Sequence, residues 1–287
     1  MKQDYIEYEP AVLKKLQAVE KEMLNDFVFA CDKYGIDYFG VGGTAIGAVR
    51  HGGMIPWDDD IDIGYRRRDE SKIINAVKSE FGDKYWFANP RLTPGFPYVP
   101  THMCMTGTEF VEKAFDESYE SGIFLDLYPF DDAYSDRRMM KKQGLKAWFW
   151  GKLYVLYFAS RPILYFGGAK ATAVRILCRL GNRLMHFLKL DPIKFYERAV
   201  SAAGDCEKKG GESDKIAWFF DPKPFSSLID FDCVFPTKKI VFDGMEVRFP
   251  GRVEKYLEAR YGDFMKLPPV EQRHNHPPAV LRFRDED

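Results

Sequence analysis

A run of acids that alternates with isoleucine, DDDIDIGY at residues 58–65, is the feature that most constrains this chain. Alternation with a period of two is typical of a β-strand, so Asp60 and Asp62 would project from the same face. No lysine or arginine lies between Asp58 and Asp62. Such carboxylates repel one another unless a cation lies among them, and hard oxygen ligands suit Mg²⁺ or Mn²⁺. The run therefore predicts a strand that carries a divalent metal site.

The residues just before this run predict a phosphate-binding turn. Residues 36–41 read as a short strand, Gly42 and Gly43 as a turn, and the following residues as a short helix with Thr44 as its N-cap. Backbone amides at a turn that leads into a helix bind phosphate readily. The candidate phosphate- and substrate-binding residues are Gly42, Gly43, Thr44, Arg50 and His51.

Three other side chains have open interpretations. Trp57 could stack on a base, hold a cationic head group through a cation–π contact, or belong to the core. His274 and His276, in the proline-rich tail, could bind metal but are more often surface or packing residues at such a place. The glycine turn, the basic helix and the acidic strand are each common alone. Their combination within about 25 residues favours a functional site.

Three segments resemble the LicD family, which includes phosphocholine transferases of bacterial cell-surface glycans and, more distantly, fukutin-type enzymes. The first comprises Gly42-Gly43-Thr44, Gly47-Ala48-Val49-Arg50-His51 and IPWDDDIDI at residues 55–63, and it is long and specific. It departs from the family at Ala45-Ile46, where the family usually carries two large aliphatic residues. The second is Asp126-Leu127-Tyr128-Pro129. The third comprises Tyr256-Leu257, Tyr261-Gly262-Asp263 and Leu267-Pro268-Pro269.

The resemblance implies a nucleotidyltransferase-type core in which paired acids and a third carboxylate from a later strand bind metal. Asp60 and Asp62 match the paired acids, and Asp126 matches the third. Asp126 could instead be the base that accepts a proton from the acceptor hydroxyl, and the sequence leaves these two roles open.

Composition excludes several classes of function. The 287-residue chain has a formal net charge of -1, which argues against general nucleic-acid binding. Its five cysteines lie far apart and form no CxxC pair, as expected of reduced thiols in the cytosol. The polar start, MKQDYIEYEP, does not resemble a signal peptide. We therefore expect a cytoplasmic protein, with peripheral association at the inner membrane face as a second option.

The pattern along the chain predicts a mixed α/β (α+β) fold with a nucleotidyltransferase-like core sheet. We expect a catalytic core at residues 1–135, a helical insertion at 136–215 and a C-terminal hairpin-helix subdomain at 216–287 that completes the same catalytic domain. Asp131 and Asp132 would lie in a solvated loop. The most apolar stretch, residues 147–169, is predicted to be a buried helix pair broken at Pro162; the alternative is an interfacial membrane helix.

With the resemblance, these features predict metal-dependent transfer of a phospho-alcohol, most plausibly phosphocholine from CDP-choline, to a hydroxyl of a glycan or lipid-linked glycan. Asp60, Asp62 and Asp126 are the predicted catalytic and metal-binding residues, and Mg²⁺ or Mn²⁺ is the predicted cofactor. One alternative is nucleotidyl transfer with release of pyrophosphate. Another is a non-catalytic scaffold that contacts a membrane through residues 147–169.

Overall fold

The computed structural model describes residues 8–112, 115, 119–159, 168–270, 273, 275 and 278–284. Within them the chain forms α-helices and β-strands in mixed order, as predicted. The helices are α1 (Pro10–Lys33), α2 (Gly42–His51), α3 (Glu70–Phe81), α4 (Arg137–Phe158), α5 (Gly168–Phe187), α6 (Pro192–Ala203), α7 (Asp205–Lys208), α8 (Phe231–Val234) and α9 (Val253–Tyr261). The strands are β1 (Tyr38–Gly40), β2 (Asp62–Arg66), β3 (Tyr85–Ala88), β4 (Thr101–Met105), β5 (Glu109–Val111), β6 (Phe124–Tyr134), β7 (Ser213–Trp218), β8 (Ser227–Asp230), β9 (Lys238–Phe242), β10 (Met245–Phe249) and β11 (Val280–Arg282).

A seven-stranded mixed sheet forms the centre of the fold. Five strands lie in the order β1-β2-β6-β4-β3, and the later half of β6 pairs with β7, which in turn pairs with β8. The β2–β6 pair is parallel, whereas the other pairs of this sheet are antiparallel. The long strand β6 therefore joins the two halves of the sheet, and one hydrophobic core runs along it.

The start of the fold follows the predicted pattern with two corrections at α2. Apolar residues recur at spacings of three and four in α1, which is typical of an amphipathic helix, and α1 buries Leu16, Met23 and Phe27. However, Gly42 and Gly43 are the first residues of α2 rather than a separate turn, and its N-cap is Val41 rather than Thr44. Thr44 is buried within the first turn, so its hydroxyl is not positioned to cap the helix.

The prediction of a solvated loop after Pro129 was wrong. Strand β6 continues to Tyr134, and Asp131 is buried within it. Arg67 forms a two-pronged ion pair with Asp131, with N–O distances of 2.6 and 2.8 Å, and Arg66 pairs with Asp132. Arg66, the last residue of β2, and Arg67, which follows it, thus compensate the charges of two acids of β6, a long-range pairing that local polarity does not reveal.

Within the predicted helical insertion, residues 136–215, the described part of the chain forms α4, α5, α6 and α7 and the start of β7. In the described part of the apolar stretch 147–169, α4 buries Ala147, Gly151, Tyr154 and Phe158 against the rest of the protein. Pro162 lies outside the described residues. Among the helices that the structure describes, none is long and apolar enough to cross a membrane. The predicted division at residues 135 and 215 remains a prediction, and β7 crosses the second of these boundaries.

The predicted C-terminal hairpin is confirmed. Strands β9 and β10 pair in antiparallel register around the turn at Asp243-Gly244, both of which have positive φ. Helix α9 follows and ends at Gly262. Its Tyr256 reaches back to the start of α2, where the hydroxyl accepts a hydrogen bond from the Gly42 amide at 3.2 Å. The end of the chain thereby returns to the predicted site.

Candidate active site

Two strands and the residues just before them bring three predicted acids together. Asp62 opens β2, and its register partner in the parallel strand β6 is Asp126. Register partners in a pleated sheet project to the same face, so the two carboxylates lie side by side. Asp60 precedes the strand rather than lying on it. Even so, one carboxylate oxygen from each of the three acids lies within 4.8 Å of the others.

The electrostatics of this cluster are unfavourable without a cation. Burial, then the charges of Asp126 and Asp58, raise the pKa of Asp62 to about 8. Burial, followed by the charge of Asp62, raises the pKa of Asp60 well above its ordinary value. Oδ1 of Asp62 and Oδ1 of Asp126 are buried and accept no hydrogen bond from any described residue. Buried carboxylate oxygens without donors are the groups that a metal ion satisfies.

These observations fit the predicted Mg²⁺ or Mn²⁺ ion. Hard divalent cations take carboxylate oxygens, and a cluster of three acids supplies several. Asp60, Asp62 and Asp126 would hold the ion. A second group of close carboxylates, formed by Asp58, Asp59 and Asp60, continues from the first.

His102 is a neighbour of Asp126 that the sequence analysis missed. It lies on β4 as the register partner of Asp126, and it is completely buried. Its Nε2 lies 2.8 Å from Oδ1 of Asp126, close enough to form an ion pair but without the alignment of a hydrogen bond. The imidazole stacks on Phe124 with ring centres 3.9 Å apart. His102 is thus held rigidly behind Asp126 and is suited to orienting that carboxylate.

Glu20 is a second buried residue near the acids that the sequence analysis missed. This α1 residue is 2% exposed, and its Oε2 has no hydrogen-bond partner among the described residues. Burial, then the charges of Asp59 and Asp58, raise the pKa of Glu20 well above its ordinary value. The sequence does indicate that Glu20 is buried, because it lies four residues after Leu16 and three before Met23, on the apolar face of the helix.

The N-terminus of α2 lies against the acids, and its two glycines make this approach possible. A Cβ at Gly42 would overlap Oδ2 of Asp62, and one at Gly43 would lie 2.6 Å from Oδ2 of Asp58. Oγ1 of Thr44 accepts a hydrogen bond from the Asp62 amide at 2.8 Å. In this structure Thr44 therefore positions the start of β2, which carries Asp62. The predicted phosphate contacts of these three residues remain predictions.

A pocket of about 130 Å³ opens beside Asp62. Aromatic side chains form much of its wall, together with one arginine and a second aspartate: Tyr128, Phe130, Trp218, Tyr256, Tyr261, Arg260 and Asp221. Arg260 donates to the Tyr261 hydroxyl at 2.8 Å and lies 3.5 Å from Asp221. The pocket therefore combines a carboxylate of the acid cluster, a cation and several aromatic rings.

Sequence reasoning found only part of this pocket. Tyr128, Tyr256 and Tyr261 belong to the segments that resemble the LicD family. Arg260 and Trp218 carried no local signal, because their position depends on how α9 and β7 pack. Arg260 follows Tyr256 by four residues on α9, a spacing that places both on one helix face.

Other predicted substrate residues lie in a separate group that does not line this pocket. Arg50 donates from Nη1 to the Phe264 carbonyl at 2.8 Å and from Nε to the His51 ring at 3.0 Å. The guanidinium of Arg273 lies 4.5 Å from the centre of the Trp57 ring. Arg50, His51 and Trp57 thus contact one another and the tail, and the charge of Asp58 also acts on Arg50. His274 and His276 lie outside the described residues.

Comparison with known proteins agrees with the resemblance. The family model described as LicD/FKTN/FKRP, nucleotidyltransferase domain, matches residues 35–161. The lipopolysaccharide cholinephosphotransferase LicD of Haemophilus influenzae is 27% identical over 282 residues, which cover 92% of this chain and 95% of that protein.

Two shorter matches are to uncharacterised proteins. One from Rickettsia typhi is 39% identical over 72 residues, 23% of this chain and 23% of its own length. One from Rickettsia prowazekii is 45% identical over 49 residues, 17% of this chain and 18% of its own. The matched region contains α2, β2 and β6, so the elements that bring the three acids together lie within the part of the chain that is similar to the LicD family.

Proposed function

We propose that this protein transfers phosphocholine from CDP-choline to a hydroxyl of a glycan, with Mg²⁺ or Mn²⁺ held by Asp60, Asp62 and Asp126. The observation that carries the chemistry is the cluster of three carboxylates with unsatisfied oxygens beside an aromatic pocket. The choice of donor and acceptor rests on the Haemophilus relative, whose name specifies lipopolysaccharide and cholinephosphate transfer.

The pocket suits two parts of such a donor, the choline head group and the phosphates. A quaternary ammonium group is attracted to the faces of Trp and Tyr rings, which Trp218, Tyr128 and Tyr256 supply. Arg260 offers planar N–H donors of the kind that bind phosphate oxygens. The N-terminus of α2 adds backbone amides near Asp62.

The proposed reaction exchanges one bond to phosphorus for another. The acceptor hydroxyl oxygen bonds to the phosphorus that bears choline, and the bond from that phosphorus to the bridging oxygen breaks. CMP departs with the electron pair of that bond. A bound divalent ion supplies neutralisation of the diphosphate charge.

The protein's own residues position the reactants and the proton acceptor. Thr44 fixes the start of β2 through the Asp62 amide, and His102 braces Asp126. The proton of the acceptor hydroxyl leaves to a base, for which Asp126 and solvent are the two candidates. Positioning and charge neutralisation contribute most in transfers of this kind.

The experiment uses CDP-choline labelled at the phosphorus next to choline, with Mn²⁺ or Mg²⁺ and a crude glycan acceptor. Label in the glycan together with free CMP supports the proposal. Label that stays in the nucleotide, while a nucleoside triphosphate loses pyrophosphate, would overturn it in favour of nucleotidyl transfer. The control enzyme is Asp214→Asn, which alters an exposed acid on β7 away from the cluster.

A further inference from the structure

Helix α5 exposes an apolar stripe to solvent. Its exposed residues recur at spacings of three and four: Ile176, Leu177, Leu180, Leu184 and Phe187, with exposures from 51 to 82%. Residues at these spacings lie on one side of a helix. A soluble domain normally leaves single apolar side chains exposed, whereas a continuous stripe marks an interaction surface.

The orientation of this stripe is fixed by the opposite side of the helix. Ala171, Asn182 and Met185 are buried. The Asn182 side chain donates to the carbonyls of Leu156 and Tyr157 in α4, at 3.0 and 2.8 Å. The His186 ring stacks on Tyr157 with centres 4.2 Å apart. These contacts hold α5 against α4, and the apolar stripe therefore faces solvent.

A basic stripe runs beside the apolar one. Arg175, Arg179 and Arg183 follow one another at intervals of four and are all exposed. None of the three has an ion-pair partner in the part of the chain that the structure describes. Residues 137–190 contain 12 Lys and Arg and no Asp or Glu, although the whole chain has a net charge of -1. The positive charge is therefore concentrated in this region.

We propose that the exposed face of α5 docks on the anionic phospholipid surface of a membrane. A helix with an apolar stripe flanked by arginines lies in the plane of the interface, with its apolar side among the acyl chains and its cations at the headgroups. A second copy of this chain is a poorer occupant, because two-fold pairing would place the same arginines against one another. This inference does not depend on the reaction proposed above.

The proposed contact also differs in place from the membrane contact that was the alternative interpretation of residues 147–169. In the stretch 147–169, the described part is largely packed within α4, with Phe149 its exposed large apolar residue. The exposed apolar surface lies mainly on the next helix. The helix is 20 residues long, or about 30 Å, which gives it ample length to lie along a membrane.

The test is flotation of the full chain with vesicles of phosphatidylcholine alone or with added phosphatidylglycerol. We expect binding to the anionic vesicles, at least about tenfold weaker binding to neutral ones, and loss of binding as salt is raised. The triple variant Arg175→Gln, Arg179→Gln, Arg183→Gln should reduce partitioning roughly a hundredfold, because each basic residue near the surface contributes about fivefold. Leu177→Ser with Leu184→Ser should reduce it about tenfold.

The matched control is Leu92→Ser, which removes an equally exposed leucine elsewhere and should bind like the wild type. Melting curves establish that each variant is folded. No flotation with anionic vesicles, or equal flotation of all variants, would overturn the proposal. Light scattering that shows lipid-free self-association, abolished by the leucine variant, would assign this face to a second copy and overturn it as well.

Discussion

The acid cluster and the α5 surface concentrate charges of opposite sign, and the protein handles them in opposite ways. In the cluster, Asp62 and Asp126 come from distant parts of the sequence and are held by the register of two buried strands. On α5, Arg175, Arg179 and Arg183 come from one helix and face solvent. Burying a charge costs free energy unless its partners are well placed, so a buried cluster depends on geometry. Exposed charges cost little, and they act as a group. Changes in the first region should therefore have large, specific effects, and those in the second region small ones.

The largest expected effect tests the acid cluster directly. Asp62→Asn should reduce phosphocholine transfer by about 1,000-fold, because it removes a charged ligand from the centre of the cluster. In the presence of EDTA its melting temperature should equal or exceed that of the wild type, since one of several repelling carboxylates is gone. Transfer assays and thermal melts measure the two quantities.

The control for that change is Asp214→Asn, an exposed acid that should leave transfer unchanged. Wild-type activity in Asp62→Asn would show that the acid cluster is not the catalytic site. An equal loss of transfer in both variants would mean that the overall negative charge of the protein matters, and not this cluster in particular.

Replacing His102, the neighbour of Asp126, should reduce transfer less than replacing Asp62. His102→Gln should weaken metal affinity and reduce transfer by about 10- to 100-fold, because loss of an orienting neighbour leaves Asp126 less well placed. Much of the transfer should return at high Mn²⁺, which a general loss of structure would not allow. Titration of the metal requirement at several Mn²⁺ concentrations measures this, and an unchanged metal dependence would contradict the positioning role.

Substitutions at two glycines, Gly42 and Gly35, test how closely α2 approaches the acids. Both Gly42 and Gly35 have positive φ, but only a Cβ at Gly42 would overlap a neighbour, Oδ2 of Asp62. Gly35→Ala should cost about 1 kcal/mol of unfolding free energy from backbone strain alone. Gly42→Ala should cost about 1 kcal/mol more than that and also reduce transfer. Urea unfolding of the two variants measures the difference, and equal costs would mean that the acids can move aside.

The smallest effect is expected on the outer face of α5. Leu184→Ala should change the unfolding free energy by no more than about 0.5 kcal/mol, because the side chain is 56% exposed. Its neighbour Met185 is 6% exposed and packs inward, so Met185→Ala should cost about 2 kcal/mol or more. Thermal or urea unfolding compares the pair. A large cost for Leu184→Ala would mean that this face is covered within the protein.

Local patterns were reliable where the structure depends on neighbours in sequence. The β9–β10 hairpin forms where Asp243-Gly244 stands between alternating arms, and α1 forms where apolar residues recur at helical spacing. The prediction failed at Asp131, where local polarity indicated solvent and the structure has a buried strand. The compensating Arg67 lies 64 residues away, so no local pattern could include it.

The sequence by itself determined the mixed fold class, the paired candidate acids Asp60 and Asp62, and the resemblance to the LicD family that adds Asp126 to them. It could do so because alternation along a strand and a long specific motif are properties of neighbouring residues. Only the tertiary structure decided that His102 and Glu20 flank those acids, that Arg260 and Trp218 share a pocket with Asp62, and that α5 turns its apolar side outward. Those relations arise from strand register and helix packing, which join residues far apart in the chain.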